Sequence, residues 1–271
     1  MIVKVGDIQI GGNNPIVLIA GPCVVENREI TLRTAGEIKN IASKLNIPFI
    51  FKSSYKKANR TSLDSFTTIG IEKALDILYE IKSELEIPLL TDIHSEHEVT
   101  IASNIVDILQ IPAFLCRQTD LLLAAGKSEK IVNIKKGQFL APEDMIHVAK
   151  KVNSTGNNNI LFTERGTMFG YHNLIVDMRS LVIMKEYGYP VIMDATHSVQ
   201  IPSLGNISGG LPKFISPLAK AATAIGIDGL FLEVHPDPPN AFSDAASQLP
   251  LSKLEELLNY IIKIDNTVKE K

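Results

Sequence analysis

Residues 71–92 read IEKALDILYEIKSELEIPLLTD, and the change of period within this stretch decides the fold. Ile71, Ala74, Leu75, Leu78 and Ile81 recur at the three- and four-residue spacing of one helix face. Pro88 then stops that pattern and opens a short apolar run, 88–92, finishing on Asp92. Proline ends a helix and is tolerated at the first position of a strand. The same order of helix end, proline and apolar run recurs at Asn46-Ile47-Pro48 and at Gly188-Tyr189-Pro190.

Outward from this unit, short runs rich in Ile, Val, Leu and Phe fall at 16–20, 49–52, 88–92, 106–111, 131–135, 160–164, 190–194 and 229–233. Helix-period segments follow them at 29–45, 71–85, 97–103, 120–125, 143–152, 174–187, 217–225 and 251–264. Strands that are apolar on both faces, each followed by a helix, imply parallel pairing, and eight such units imply a closed α/β barrel, the (β/α)8 TIM barrel. An open doubly wound sheet would carry a glycine fingerprint after its first strand, and none is present. Ahead of the barrel, Val3-Lys4-Val5 and Ile8-Gln9-Ile10 flank Gly6-Asp7, which predicts a β-hairpin with a type II′ turn. The expectation is one domain over 1–271, with the hairpin in 1–12 and the barrel in 13–271.

The chain has 271 residues, 27 Lys+Arg against 30 Asp+Glu, and a formal net charge of −3. That balance excludes nucleic-acid binding by bulk electrostatics. With 45% hydrophobic residues the chain supplies a large core. The apolar run at 16–20 is broken by Gly21-Pro22, far short of the roughly 20 residues of a membrane span. Met1-Ile2-Val3-Lys4 has no signal-peptide character. Cys23 and Cys116 alone make no disulfide framework. These readings predict a cytoplasmic protein with no membrane and no nucleic-acid partner.

Barrel enzymes carry their chemistry on the C-terminal ends of the strands and the loops beyond. Those positions here hold Cys23; Lys52, Lys56, Lys57, Asn59 and Arg60; Asp92 and His94; Gln110; Lys135 and Lys136; Glu164 and Arg165; Asp194 and His197; and Glu233, His235 and Asp237. Strand ends are polar wherever they leave a core, but eight units converging is more than that requires. Lys52, Lys57, Arg60, Lys135 and Arg165 concentrate positive charge in one cleft of a chain that is negative overall. Lysine as a point charge and arginine as a fork suit two anionic substrates; a solvated basic rim is the plainer alternative.

Cys23, His197, Glu233 and Asp244 form a second constellation, from the first, seventh and eighth units, which barrel closure makes neighbours. Thiolate, imidazole and carboxylate together suit a divalent metal. The spacing holds no CxxC or HxxxH, and Cys23 as a small buried apolar group, His197 as a loop hydrogen-bonder and Asp244 as a helix cap remain open. Cys116 reads as structural. His94, His97, His147 and His172 are individually uninformative, and Gly209-Gly210 reads as an active-site loop or a long turn.

In order along the chain, Ala20-Gly21-Pro22-Cys23 with Glu26, Phe51-Lys52, Lys57-Ala58-Asn59-Arg60-Thr61-Ser62, Thr91-Asp92-Ile93-His94, Gln110-Ile111-Pro112-Ala113-Phe114 and Asn133-Ile134-Lys135-Lys136-Gly137-Gln138 are followed by a second series. That series is Glu164-Arg165-Gly166, Phe169-Gly170-Tyr171, Asp194-Ala195-Thr196-His197-Ser198-Val199-Gln200 and Glu233-Val234-His235-Pro236. Together they resemble the 3-deoxy-D-manno-octulosonate 8-phosphate synthases. The resemblance implies a transferase of lipopolysaccharide biosynthesis that condenses phosphoenolpyruvate with D-arabinose 5-phosphate and water, releasing phosphate. It implies that Lys52, Lys57, Lys135 and Arg165 hold phosphoenolpyruvate with Gln110 nearby, that Asn59, Arg60 and Thr61 meet arabinose 5-phosphate, and that Asp92 and Gln138 join the substrate-binding set.

Cysteine at position 23 implies the metal-dependent branch of that family, with Cys23, His197, Glu233 and Asp244 as ligands of zinc, iron or manganese. Cys23, Lys52, Lys135, His197 and Asp244 form its catalytic group. By the same resemblance, C3 of phosphoenolpyruvate attacks the aldehyde, water adds at C2, and the tetrahedral intermediate loses phosphate. The metal polarises the aldehyde, activates the water or orients the substrate, three alternatives that stay open. The family is commonly homotetrameric, with Arg60's loop and Phe114 reaching a neighbour's site.

The nearest rival is 3-deoxy-D-arabino-heptulosonate 7-phosphate synthase, which uses erythrose 4-phosphate and typically carries Lys-Pro-Arg-Thr where this chain has Lys57-Ala58-Asn59-Arg60; Asn59 argues for the longer sugar. His172 and the loop from Pro202 to Asn206 differ from many octulosonate synthases. A non-catalytic sensor barrel would lack a reaction-specific group, and none is missing. A Schiff-base aldolase would use Lys135 as nucleophile.

Overall fold

The structure is a computed structural model that describes residues 1–60, 62–170, 173–201 and 209–270. Eight strands form the barrel: β1 (Val17–Gly21), β2 (Phe49–Lys52), β3 (Leu89–Asp92), β4 (Ile108–Ile111), β5 (Ile131–Lys135), β6 (Ile160–Glu164), β7 (Val191–Asp194) and β8 (Gly229–His235). Each is followed by a helix: α1 (Arg28–Lys44), α2 (Ile71–Leu85), α3 (Glu96–Ala102), α4 (Thr119–Lys127), α5 (Met145–Asn153), α6 (Met178–Glu186), α7 (Ile215–Ala224) and α8 (Leu254–Val268). Neighbouring strands pair in parallel from β1 through β8, and β8 returns to β1 over five residue pairs ending at Glu233 opposite Gly21. The sheet is therefore a closed (β/α)8 barrel.

The side-chain period of two splits the strands between two apolar clusters. Outward residues such as Leu18, Phe51, Leu109, Phe162 and Leu232 pack with the buried faces of the helices. Val17, Ile19, Ile50, Leu90, Ile108, Ile131, Leu161, Ile192 and Phe231 form a second, separate cluster inside the barrel. The hairpin strands Val3–Val5 and Ile8–Ile10 close it, because Val3, Val5 and Ile10 are buried in that inner cluster. Gly6 has φ +53 while Asp7 is not left-handed, the type II′ pattern.

Three boundaries move for identifiable reasons. The helix expected over 174–187 begins at Met178, where the Asp177 side chain caps Arg179 N, and Leu174–Ile175 instead pairs with Thr167–Met168 as a short antiparallel ladder. The strand expected over 106–111 begins at Ile108, because Asp107 turns its carboxylate to Leu89 N at 2.9 Å and Lys82 Nζ at 2.7 Å. The helix expected over 251–264 starts at Leu254, after a 3-10 turn over Leu251–Lys253. Gly209–Gly210 pairs with Gln200–Ile201, and Pro202–Asn206 lies outside the described residues.

Candidate active site

Two residues beyond the inner apolar cluster on each strand, and so on the same inward face, stand Gly21, Lys52, Asp92, Gln110, Asn133, Thr163, Asp194 and Glu233. One step along the pleat converts an apolar layer into a layer able to do chemistry. Gly21 is required in that layer, because a Cβ there would lie 2.1 Å from Lys52 O.

A hydrogen-bonded belt runs from the segment just after β2 across the four strands β3 to β6. Ser54 Oγ donates to Asp92, Gln110 Nε2 to Asp92 Oδ1 at 2.5 Å, Asn133 Nδ2 to Gln110 Oε1 at 2.8 Å, and Thr163 Oγ1 to Asn133 Oδ1 at 2.7 Å. The belt fixes the Asp92 carboxylate. Burial works against its charge, but Lys52, Lys135 and His94 together hold the carboxyl well below the usual carboxylate range. Gln110 is consequently a support beneath the cavity floor rather than part of its wall.

The cavity over this layer has a volume of about 310 Å³. Lys52, Lys57, Asn59, Arg60, Asp92, Lys135, Gln138, Arg165, His197 and Asp244 line it, while Cys23 and Glu233 lie buried beneath it; Thr61 falls outside the described residues. Lys52, Lys135 and Arg165 are deep, whereas Asn59 and Arg60 are exposed at the mouth, with the Arg60 guanidinium donating to Leu63 O and Ser65 O. The five cations expected to share one cleft therefore do so. Lys136 turns away, its buried ammonium held by Thr167 Oγ1 at 2.9 Å and Leu140 O at 3.2 Å and lying 3.5 Å from Glu164. His235 is also off the wall, taking Asp237 N on Nδ1 with Nε2 3.5 Å from Glu26.

The cations differ in how they are balanced. Lys52 Nζ meets Glu233 Oε1 at 2.9 Å and Cys23 O at 3.1 Å; burial works against its charge, but Glu233 and Asp92 raise its pKa. Lys135 Nζ meets Asp194 Oδ2 at 2.7 Å and lies 4.3 Å from the centre of the Phe231 ring. Arg165 has no carboxylate within salt-bridge distance among the described residues: Nη2 donates to Gln200 Oε1 at 3.1 Å and the buried Nη1 has no partner. Its backbone is fixed by Glu164 Oε1, which accepts from Arg165 N at 2.9 Å and Gly166 N at 2.7 Å. A buried guanidinium left open in this way is costly unless an anion completes it.

Cys23 Sγ, a Glu233 oxygen and an Asp244 oxygen lie within 4.8 Å of one another. Cys23 Sγ is 3.1 Å from Asp244 Oδ2, and Lys57 Nζ lies 3.0 Å from the sulfur and 3.1 Å from the same oxygen. His197 directs Nδ1 to Asp194 Oδ2 at 2.7 Å and holds Nε2 3.4 Å from Glu233 Oε1. A carboxylate on the far ring nitrogen is the usual way a ligating histidine is oriented. Burial, Asp244 and Glu233 push the Cys23 thiol well up, so this pocket favours an added cation. The donor set, the ammonium standing among it and the buried Glu233 Oε2, which has no hydrogen-bond partner among the described residues, all fit a divalent metal.

Two further residues, Glu26 and Gln248, support this centre. Asp244 has a left-handed backbone, φ +48, and its segment is tied down where Glu26 Oε1 accepts from Phe242 N at 2.7 Å. Gln248 Oε1 accepts from Cys23 N at 3.2 Å while its Nε2 donates to Ser243 O at 2.9 Å. Next to Lys57 in the chain, Lys56 Nζ reaches Glu98 at 3.2 Å, and Glu98 also takes His94 Nδ1 at 2.9 Å and Tyr55 OH at 2.6 Å. Ser54 could have been found two residues past Lys52 on the same pleat; Gln248 and Glu98 carry no such signal.

The sequence pattern of the DAHP synthetase I family matches residues 1–270. The 2-dehydro-3-deoxyphosphooctonate aldolase of Syntrophotalea carbinolica is 53% identical over 267 residues, covering 98% of this chain and 96% of the relative. Proteins of the same name from Geotalea uraniireducens and Rickettsia canadensis are each 54% identical, over 268 and 271 residues, covering 98% and 100% of this chain and 98% and 99% of theirs. The chain belongs to the 2-dehydro-3-deoxyphosphooctonate aldolases of the DAHP synthetase I family. In this chain the barrel's inward charged layer faces a cavity lined by Lys52, Lys57, Arg60, Lys135 and Arg165. Among the described residues, no helix is long and apolar enough to cross a membrane.

Proposed function

We propose that the chain condenses phosphoenolpyruvate with D-arabinose 5-phosphate and water to give 3-deoxy-D-manno-octulosonate 8-phosphate and phosphate, a step of lipopolysaccharide biosynthesis. The observation that carries this reading is Arg165, a buried guanidinium on the cavity wall whose Nη1 has no partner among the described residues. It requires an anion, and Lys135 and Lys52 stand ready to share the charge. Gln138, whose buried Oε1 also has no partner among the described residues, joins the same wall. Asn59 and Arg60 at the mouth suit the phosphate of a second, longer substrate, with Thr61 belonging to the same segment.

In this reading Arg165, Lys135 and Lys57 fix the phosphate and carboxylate of phosphoenolpyruvate, so that C3 faces the aldehyde delivered from the mouth. C3 forms the new carbon–carbon bond, water adds at C2, and cleavage of the C2–O bond releases phosphate. The preorganised cations stabilise negative charge as it develops on the departing phosphate. Asp194 holds His197 and Lys135 in place throughout. Cys23, His197, Glu233 and Asp244 would hold zinc, iron or manganese, which when bound supplies Lewis-acid polarisation. The proposal includes a single domain over 1–271, a homotetramer and a cytoplasmic location.

The test is ultraviolet loss of phosphoenolpyruvate with arabinose 5-phosphate or erythrose 4-phosphate, each before and after chelation and metal add-back. Consumption with arabinose 5-phosphate alone, abolished by chelation and restored by metal, is the expected result. Preference for erythrose 4-phosphate would assign the rival reaction, and chelator-resistant turnover would remove the metal.

A further inference from the structure

The Cys23–Asp244 pair already faces a cation, and that cation belongs to the protein. Lys57 Nζ bridges Sγ at 3.0 Å and Oδ2 at 3.1 Å, two donors that are themselves 3.1 Å apart. The third donor, Glu233, is bridged to the Cys23 segment by Lys52, which contacts Glu233 Oε1 at 2.9 Å and Cys23 O at 3.1 Å. Two ammonium groups therefore balance two carboxylates. A divalent ion placed on the same donors meets the Lys57 ammonium at contact distance, where like charges in a poorly hydrated pocket repel strongly.

Lys57 is built to yield. It lies beyond the end of β2 in an irregular segment, its side chain is 12% exposed, and it lines the cavity. Its backbone is anchored independently of its ammonium, with Lys57 N donating to Thr67 O at 2.8 Å and Thr67 Oγ1 donating to Lys57 O at 3.2 Å. The flexible four-carbon stem lets Nζ leave the donors while the loop stays in place. Lys52 has no such freedom, since it is buried on a barrel strand between Glu233 and Cys23 O.

We propose that Lys57 is a surrogate cation that holds the Cys23–Asp244 pair together until a divalent ion displaces it, and that the displaced ammonium turns into the cavity to help hold a phosphorylated substrate. This rests on reading Cys23, Glu233 and Asp244 as metal donors. Metal loading and anion binding are then linked, each favouring the other.

Cadmium titration of the full chain, followed by the ultraviolet thiolate-to-metal absorption band, tests the first half. Wild type and Lys57→Met should both develop the band, Cys23→Ser should not, and Lys57→Met should bind Cd²⁺ on the order of tenfold more tightly, because the competing cation is gone. Equal or weaker binding by Lys57→Met overturns the surrogate role and leaves the metal reading intact. A wild type without a Cys23-dependent band overturns both. The second half needs no variant. With an amine-acylating reagent and peptide mass analysis, Lys57 labelling should rise several-fold when Cd²⁺ is bound, while the fully buried Lys136 stays unlabelled with and without metal. Unchanged labelling of Lys57 overturns the displacement.

Discussion

Replacing Arg165 with lysine keeps a charge in the cavity wall and removes the fork whose Nη1 has no partner among the described residues and whose Nη2 is set by Gln200. A point charge on a shorter reach cannot grip a phosphate through two parallel bonds. Arg165→Lys should therefore lower kcat/KM for phosphoenolpyruvate by on the order of a hundredfold, about 2.7 kcal/mol of transition-state stabilisation. Steady-state kinetics with both substrates varied checks this, and an unchanged kcat/KM would show that the guanidinium does not meet the anion. Glu98 offers a different measurement. Burial opposes its charge, but His94 and Tyr55 hold its carboxyl down to about 2 from an ordinary 4.5. A lowered folded-state pKa stabilises fully above the unfolded value and loses that contribution as pH falls towards the folded one. Glu98→Gln should thus lose about 2 kcal/mol in urea unfolding at pH 7, with the gap narrowing steadily below about pH 4.5. A gap independent of pH would assign the loss to packing.

At the level of elements, the barrel was legible because eight apolar runs and eight helical stretches alternate, and because Pro48, Pro88 and Pro190 mark three of the strand entries. Boundaries were less so. Asp107 and Asp177 spend their side chains on backbone N–H groups, and those local bonds shift an end by several residues without altering the hydrophobic pattern. Lys52, Lys135 and Arg165 were readable as strand-end cations. Gln248 was not, since its contact with Cys23 spans 225 positions and depends on closure. The N-terminal hairpin has an energetic role that its sequence only hints at. Removing residues 1–12 exposes the inner cluster that Val3, Val5 and Ile10 cover, which should cost on the order of 5 kcal/mol. A lower thermal midpoint with increased binding of an apolar dye is the expected outcome, and an unchanged midpoint would make the hairpin a mere appendage.

For the molecule as a whole, the net charge of −3 conceals a division between an outer surface and a cation-rich mouth. The loops following β4, β5 and β6 also leave Phe114, Phe139 and Phe169 half-exposed or more, and Phe114 borders the cavity itself. Large aromatic side chains at a polar mouth are what a second copy would cover, in keeping with the proposed homotetramer. Light scattering at working concentration should give four times the chain mass, and a monomer would remove that part of the proposal.

Closure of the barrel has a consequence for how the protein is made. Cys23 and Asp244 touch although 221 positions separate them, and β1 finds its second neighbour only in β8. On a ribosome, the thiol emerges 221 positions before the Asp244 carboxylate. Until Gly229–His235 has been synthesised, a nascent chain carries Cys23 without Glu233 or Asp244 and an inner apolar layer open along one seam. Any growing chain must pass through that half-built state, which makes the early thiol and the open seam the parts most in need of shelter from oxidation and aggregation.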